Sequence, residues 1–427
     1  MRSIFKCPLT STPLTGEITS WGDYFKYHYV KFDFTTVTTP GIYYIRYGDC
    51  VTNNFIIGEN VYDKITDATS DIWIPIHMTD GTPDMLKFIE HGTMQLVAQA
   101  EIIGHMAQTL SNAVLDNYHH LGDAAYLTDG LPYNAELGPY EVAADGRSSG
   151  VKDDMWAFTT RNPSLDLRAA TTFAAASRAL KGYNDDLSER ALHQSRRLLK
   201  EASEMLAERP LQEEGRYFGS GDIATYLELY ISTGEQSYLD QFHELLWPTL
   251  DRNVNTNILT ALHAIPYLGT SYKEKLRPYV LQFKAYIDEL EQDNPYGLPI
   301  GLANWAGGGA MVNFGTAICF ANEHFPDLIN ASHAYKVSSW LFGCHPYHNY
   351  SLVATLGATR PKSVFYGNNR ADFSFIPGNM APGILFRKPD HFENYDDWPF
   401  LWGQNEGTIG GNTGYLIFGS AFKHLIK

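Results

Sequence analysis

Cysteine is scarce in this 427-residue chain: Cys7, Cys50, Cys319 and Cys344 are the only four, with no C-x-x-C pair and no metal-ligand spacing. Free or buried thiols are expected rather than a disulfide framework. An H-E-x-x-H motif is also missing, so the usual donor sets of a catalytic zinc are not there. No cofactor and no metal site are predicted. No run reaches the roughly 18 apolar residues that a membrane span needs. Met1-Arg2-Ser3-Ile4-Phe5-Lys6-Cys7 has no apolar h-region, so the stretch as written carries no export signal. Basic residues are outnumbered, 32 Lys and Arg against 48 Asp and Glu, for a net charge of −16. Nucleic acid and anionic membrane both need clustered Lys and Arg, so neither is expected as a partner. A neutral ligand suits this balance.

What is present is enough apolar residue, 44%, for one large domain and a small one. Residues 1–60 read as β. Tyr27 to Phe34 alternates, Pro40-Gly41 turns, Ile42 to Tyr47 follows, and Asn54 to Ile57 forms a third candidate strand. Residues 61–82 read as a linker. From there the apolar period changes to three and four, first in a long run from Asp84 to about Tyr118. A long loop spans His119 to Asp166. Further helical runs are predicted near 167–182, 186–208, 221–233, 236–248, 253–267, 271–291, 309–324, 329–343 and 406–425. About ten helices in successive hairpins, with little strand between them, is the pattern of an α/α toroid.

The chemistry-bearing stretch is Tyr395-Asp396-Asp397-Trp398-Pro399-Phe400-Leu401-Trp402-Gly403-Gln404-Asn405-Glu406, continued by Gly407 to Thr413. An acid beside indole rings has its charged form disfavoured, so it can hold a proton near neutral pH. Aromatic faces also stack on sugar rings. A polar loop packed under tryptophans is the plainer reading of the same residues. Leu121-Gly122-Asp123-Ala124 and Asp153-Asp154-Met155-Trp156 lie in or beside the long loop, where a Trp next to acids suits a sugar subsite or a simple clamp on the core. Trp305, within Asn304-Trp305-Ala306-Gly307, is either a substrate platform or the lead into a helix. His91 and His105 fall on one predicted helix; hydrogen-bonded histidines are the commoner use of such a pair than metal ligands.

The C-terminal stretch resembles the active-site signature of glycoside hydrolase family 9, the cellulase family. Its pattern is aromatic, any residue, Asp, four residues, aromatic, three residues, Glu, any residue, small, three residues, Asn, small. Tyr395, Asp397, Trp402, Glu406, Thr408, Asn412 and Thr413 fill every fixed place. Leu341-Phe342-Gly343-Cys344-His345-Pro346 is similar to the family's Leu-Gly-x-Asn-Pro turn, with His345 for Asn. Asn368-Asn369-Arg370 stands where the family has His-x-Arg: Arg370 matches and Asn368 replaces the His. Ile376-Pro377-Gly378 corresponds to a family Pro-Gly turn.

The resemblance implies an (α/α)6 helical toroid over 83–427, preceded at 1–60 by the remnant of an immunoglobulin-like domain whose first strands are absent. It implies hydrolysis of β-1,4-linked glucans by inversion, with Glu406 as general acid and Asp397 beside it as the second catalytic residue. Substrate contacts then fall to Asn368, Arg370, Trp156, Trp305 and Trp402, and the partner is a polysaccharide. One piece does not match. The family's general base lies in an Asp-Ala-Gly-Asp motif, and the nearest strings, Gly122-Asp123-Ala124 and Gly221-Asp222-Ile223, sit in other contexts. The segment carrying it is expected to be deleted near Met78-Thr79, leaving the toroid incomplete. Asp123, Asp153 and Asp154 are the candidates to replace the base. Without one, the chain is a family member that binds glucan with impaired turnover, or a structural relic.

Overall fold

The computed structural model describes residues 2–7, 14–73, 85–108, 110–112, 129, 131–152, 155–157, 160–207, 220–301, 307–345, 350–357, 365–366, 377–384, 386–387, 392–393 and 406–427. The chain divides into two compact units, one of Met1–Trp73 with Ala261–Lys427 and one of Ile74–Thr260.

The first unit begins with β1 (Arg2–Cys7), β2 (Leu14–Thr15), β3 (Ile18–Tyr24), β4 (Tyr27–Phe32), β5 (Gly41–Tyr47), β6 (Cys50–Val51) and β7 (Phe55–Ile57). The strands expected at 27–34, 42–47 and 54–57 correspond to β4, β5 and β7. β5 is the centre of a five-stranded antiparallel sheet. β1 lies along one side, and β6 and β7 share the other. Those two are separated at Thr52, whose hydroxyl accepts from Ile45 N–H (2.9 Å) while its own N–H donates to Ile45 O (2.9 Å). β3 and β4 form a separate hairpin. Ile42 and Ile56, directly opposite each other, remain exposed.

The interval expected as a linker holds a helix, α1 (Asp67–Trp73). In the second unit, α2 (Met85–Ile103) stops well before the expected Tyr118. Gly104, at φ +84°, takes the chain out of the helix, and β8 (Leu110–Asn112) follows. β8 pairs antiparallel with β9 (Met155–Ala157), so the long loop is closed at its base by a short ladder. Three helices come next: α3 (Pro163–Leu180), α4 (Asp185–Ala207) and α5 (Ser220–Thr233). Asn162 caps α3 by accepting from Ser164 N–H (3.1 Å), with Pro163 in the first turn. α3 turns small residues, Ala170, Ala174 and Ser177, toward α4. Close approach then allows Ser195 Oγ to donate to Ala170 O (2.7 Å) and Ser188 Oγ to Ser177 O (2.6 Å). Leu187, Ala191, Leu198 and Leu199 fill the same core from α4, at helical spacing. α6 (Gln236–Arg252) packs on α5, and α7 (Val254–His263) carries the chain to the end of this unit.

The first unit resumes with α8 (Ile265–Asp293), α9 (Gly308–His324) and α10 (Ser332–Leu341). It continues through the two-residue strands β10 (Phe365–Tyr366), β11 (Phe386–Arg387), β12 (Phe392–Glu393) and β13 (Glu406–Gly407), and ends in α11 (Ile409–Leu425). α9 packs against α11 and α10, burying Met311, Ile318, Val337, Trp340, Tyr415 and Phe418. Burial of such side chains stabilises by about 1.5–3 kcal/mol each. Tyr415 donates to Ile65 O (2.6 Å), which ties α11 to the turn before α1. The last helix was expected from 406. It starts at 409 because Glu406 and Gly407 are strand and Thr408 is the cap.

Candidate active site

Glu406 sits on a braced piece of backbone. β13 pairs in parallel with β10, Phe365 opposite Glu406 and Tyr366 opposite Gly407. This register brings Phe365 and Tyr366 alongside Glu406 and Gly407, although the paired residues are 41 positions apart in sequence (406 − 365). Gly407 is buried, and a Cβ there would come within 2.1–2.5 Å of the Asn379 amide. Only glycine allows that approach.

The Asn379 amide belongs to a buried polar knot. Its Oδ1 accepts from Asn412 Nδ2 (2.8 Å), Asn412 Oδ1 accepts from Met380 N–H (2.9 Å), and Asn412 Nδ2 also donates to Thr408 O (2.8 Å). Asn379 and Asn412 are 0% and 1% exposed, so these bonds have no competition from water. Thr408 Oγ1 accepts from Gly411 N–H (3.0 Å) and starts α11. The turn before Asn379 is anchored in its own right. Ala354 N–H donates to Asn379 O (2.9 Å), Gly378 N–H donates to Ala354 O (3.0 Å), and Thr69 Oγ1 donates to Gly378 O (2.6 Å). Two residues after Glu406 in the signature, Thr408 and Asn412, therefore serve to hold its strand rather than to meet a ligand.

His345 is equally structural. Its Nε2 lies 2.6 Å from Tyr350 O, which as a carbonyl can only accept, so Nε2 carries the proton. Burial pushes the imidazole down to about 4, against the opposing pull of that carbonyl, and the ring is neutral at pH 7.

In the second unit Asp166 has both carboxylate oxygens engaged. Met106 N–H donates to Oδ1 (2.9 Å) and Arg161 Nε to Oδ2 (2.7 Å). Arg161 also donates to Glu201 (2.7 Å), and Arg197 donates to Glu201 (3.1 Å) and to the carbonyls of Ala100 (3.0 Å) and Gly104 (2.8 Å) that end α2. Asp166, with a side chain 0% exposed, thus holds both stems of the long loop. No sequence pattern announced this role, which depends on residues sixty positions apart meeting. Asp222, in the Gly221-Asp222-Ile223 string, is the one described carboxylate whose proton affinity is raised. Burial is the cause, and its Oδ1 is enclosed without a hydrogen-bond partner among the described residues.

Of the residues expected at the site, Glu406 is placed by its backbone and Trp156 lies in β9, opposite Ser111. Asp397, Asn368, Arg370, Trp305 and Trp402 lie outside the described residues, as do Asp123, Asp153 and Asp154. His91 and His105 do not share a helix, because α2 ends at Ile103. His91 Nε2 faces Gln95 (3.2 Å) and His105 Nδ1 faces Met106 O (3.0 Å). Among the described residues no three His, Cys, Asp or Glu side chains converge where a metal ion could be held.

The family model for glycosyl hydrolase family 9 matches residues 22–418. The chain belongs to glycosyl hydrolase family 9. Similar solved structures include a metagenome-derived family 9 endoglucanase, 15% identical, with a TM-score of 0.66 over 99% of this chain and 92% of that one. A family 9 protein of Bacteroides ovatus is 15% identical, with a TM-score of 0.63 over 100% and 94%. A thermostable endoglucanase of Alicyclobacillus acidocaldarius is 14% identical, with a TM-score of 0.60 over 99% and 94%. No curated protein sequence matches the chain. At these identities the likeness shows the fold: a mainly α, (α/α)6-type glycosyl hydrolase of family 9 with a small N-terminal β segment.

Proposed function

We propose that this family 9 protein hydrolyses β-1,4-glucosidic bonds in cellulose or a related plant β-glucan by inversion, with Glu406 as general acid. The supporting observation is the β10–β13 register, which sets the Glu406 backbone opposite Phe365, three residues before Asn368 in the sequence. Glu406 protonates the glycosidic oxygen as the bond to the anomeric carbon breaks, and Asp397 positions the acid and the attacking side of the site. Asn368 and Arg370 supply donors to sugar hydroxyls; Trp156, Trp305 and Trp402 supply stacking faces. Endoglucanases among the structural relatives are in keeping with a glucan substrate. Residues 83–427 form the catalytic module, 61–82 join it to the β segment, and 1–60 are what remains of an immunoglobulin-like domain.

Inversion also needs a base, with carboxyl groups about 6.5–9.5 Å apart and a water between them. On this reading the segment that carries the family's Asp-Ala-Gly-Asp motif is deleted near Met78-Thr79, and the motif itself is absent from the sequence. This observation favours a second reading, in which the chain binds glucan and turns it over slowly or not at all, since a missing general base removes about 10²–10⁴-fold. Neither nucleic acid nor membrane enters the proposal; among the described residues no helix is long and apolar enough to cross a membrane.

Reducing-end release from carboxymethyl-cellulose, mixed-linkage glucan and xyloglucan separates the two. The first reading expects measurable release that Glu406→Gln lowers by at least about a hundredfold. Equal near-zero rates in both proteins would sink it and leave the binding reading, which requires retardation of both in gels cast with the same glucans.

A further inference from the structure

Among the described residues, three other than glycine have positive φ: Phe25 (+54°), Thr355 (+74°) and Tyr140 (+71°). The left-handed region is unfavourable for a side chain with a Cβ, so each needs something to hold it there. Phe25 is held by rings, with centroids 4.0 Å from Tyr24 and 5.3 Å from Phe386. Thr355 is exposed too, but it lies next to the anchored Ala354 and its hydroxyl donates to Ala354 O. Tyr140 differs from both: it is 85% exposed, and its ring does not enter the core. Pro139 and Val142 beside it are exposed as well.

The loop around Tyr140 is not slack. Gly138 N–H donates to Glu141 Oε2 (2.9 Å), Glu141 N–H to Gly138 O (2.9 Å) and Gly150 N–H to Glu141 O (2.8 Å). Asn134 N–H donates to Ser149 O (2.7 Å), Ser149 N–H to Pro132 O (3.0 Å), and Ser149 Oγ to Asp129 Oδ2. These bonds fix the residues on both sides of Tyr140 and leave its ring in solvent. At its base the same excursion is closed by β8 and β9 and by the two bonds to Asp166. Trp156, one of the expected substrate contacts, is part of that base.

On a fixed backbone a tyrosine has only two side-chain torsions to lose when a flat apolar surface covers its ring. Its hydroxyl stays hydrated at the rim. In a glycosyl hydrolase of family 9 the ligand with such a surface is a β-linked glucan, whose equatorial hydroxyls leave the ring faces lined with C–H groups. We propose that Tyr140 is a stacking platform for one pyranose ring of a β-glucan chain, presented by the pinned loop 131–151. The proposal shares with the functional reading only the class of ligand and does not require turnover.

The test is affinity electrophoresis of the full chain in gels containing hydroxyethyl-cellulose or mixed-linkage β-glucan, with dextran as control. The parent carries Glu406→Gln, so that nothing is hydrolysed during the run. Tyr140→Gly removes the ring while suiting the backbone, so its thermal transition should be unchanged or raised. It should bind about three- to tenfold more weakly, the worth of one aromatic stack. Tyr140→Phe, which keeps the ring, should bind like the parent. Equal retardation of Tyr140→Gly and parent overturns the proposal, as does a parent that no β-glucan retards or that dextran retards equally. Reducing-end release by the unmutated chain reads the hydrolytic reading separately. A dead protein that still binds through Tyr140 refutes hydrolysis alone, and an active one indifferent to Tyr140→Gly refutes the platform alone.

Discussion

Replacing Asn412 by alanine probes the knot that holds the Glu406 strand. Asn412 is buried, and its amide makes three hydrogen bonds. Alanine would orphan two groups, Met380 N–H and Asn379 Oδ1; Thr408 O keeps its bond from Asn412 N–H (3.0 Å). Asn379 cannot compensate by turning its amide, because its Nδ2 is already enclosed without a partner among the described residues. Each orphaned buried group costs about 1–3 kcal/mol, so Asn412→Ala should destabilise by about 2–5 kcal/mol. Thr408→Ala gives an internal scale, since it loses the single cap bond to Gly411 N–H and should cost about 1 kcal/mol. Asn412→Asp keeps an acceptor for Met380 N–H but points charge at Asn379 Oδ1. The introduced carboxyl should have a folded-state pKa above its unfolded value near 3.9, so the deficit should be smallest below that pH and grow as pH rises. Urea unfolding followed by tryptophan fluorescence measures all three. A cost for Asn412→Ala below about 0.5 kcal/mol, or no greater than for Thr408→Ala, would refute the account of how the acid is held.

The remaining predictions follow from single side chains. Asp166→Ala leaves Arg161 Nε and Met106 N–H without their acceptor, while Arg161 keeps its bond to Glu201, and should cost about 2–4 kcal/mol, with early proteolytic nicking in the long loop as the local readout. His345 has a folded pKa of about 4, below its unfolded value near 6.5. The unfolded state therefore binds the extra proton between those values, and the stability this histidine confers above pH 6.5 is lost as pH falls toward 4. His345→Asn should flatten that part of the stability–pH curve. Asp222 has the opposite sign for an acid: its folded pKa is raised by burial, so its contribution is fully present below the unfolded value near 3.9 and is lost as pH rises through the folded one. Asp222→Asn should therefore gain stability relative to the parent at neutral pH, and a gain that is the same at all pH values would contradict this.

Much of the helical module was readable because its elements announce themselves locally. Apolar residues three and four apart, Asn162-Pro163 ahead of α3, and acids in the first turn of α4 need no distant partner to be recognised. The family signature was readable for the same reason, as a fixed spacing of residue types over 395–413. The errors fell where local pattern was overruled. Apolar residues continue beyond α2, but Gly104 and the pairing of β8 with β9 take the chain elsewhere. β1, β2, β3 and β6 were missed because a strand is completed by partners that sequence spacing does not reveal.

The family, the mainly α class and the signature spacing are written in the sequence as residue type and period. Tertiary structure alone decided what the other signature residues are for. Asn412 looked like part of a catalytic pattern and is a buried joint, Thr408 is a helix cap, and Gly407 is glycine because Asn379 lies against it. It alone set Phe365 beside Glu406, gave Asp166 to both stems of one loop, and left the ring of Tyr140, on its positive-φ backbone, in solvent. The buried contacts among these join groups far apart in the chain, and their energy exists only once burial has removed the water that would otherwise satisfy them.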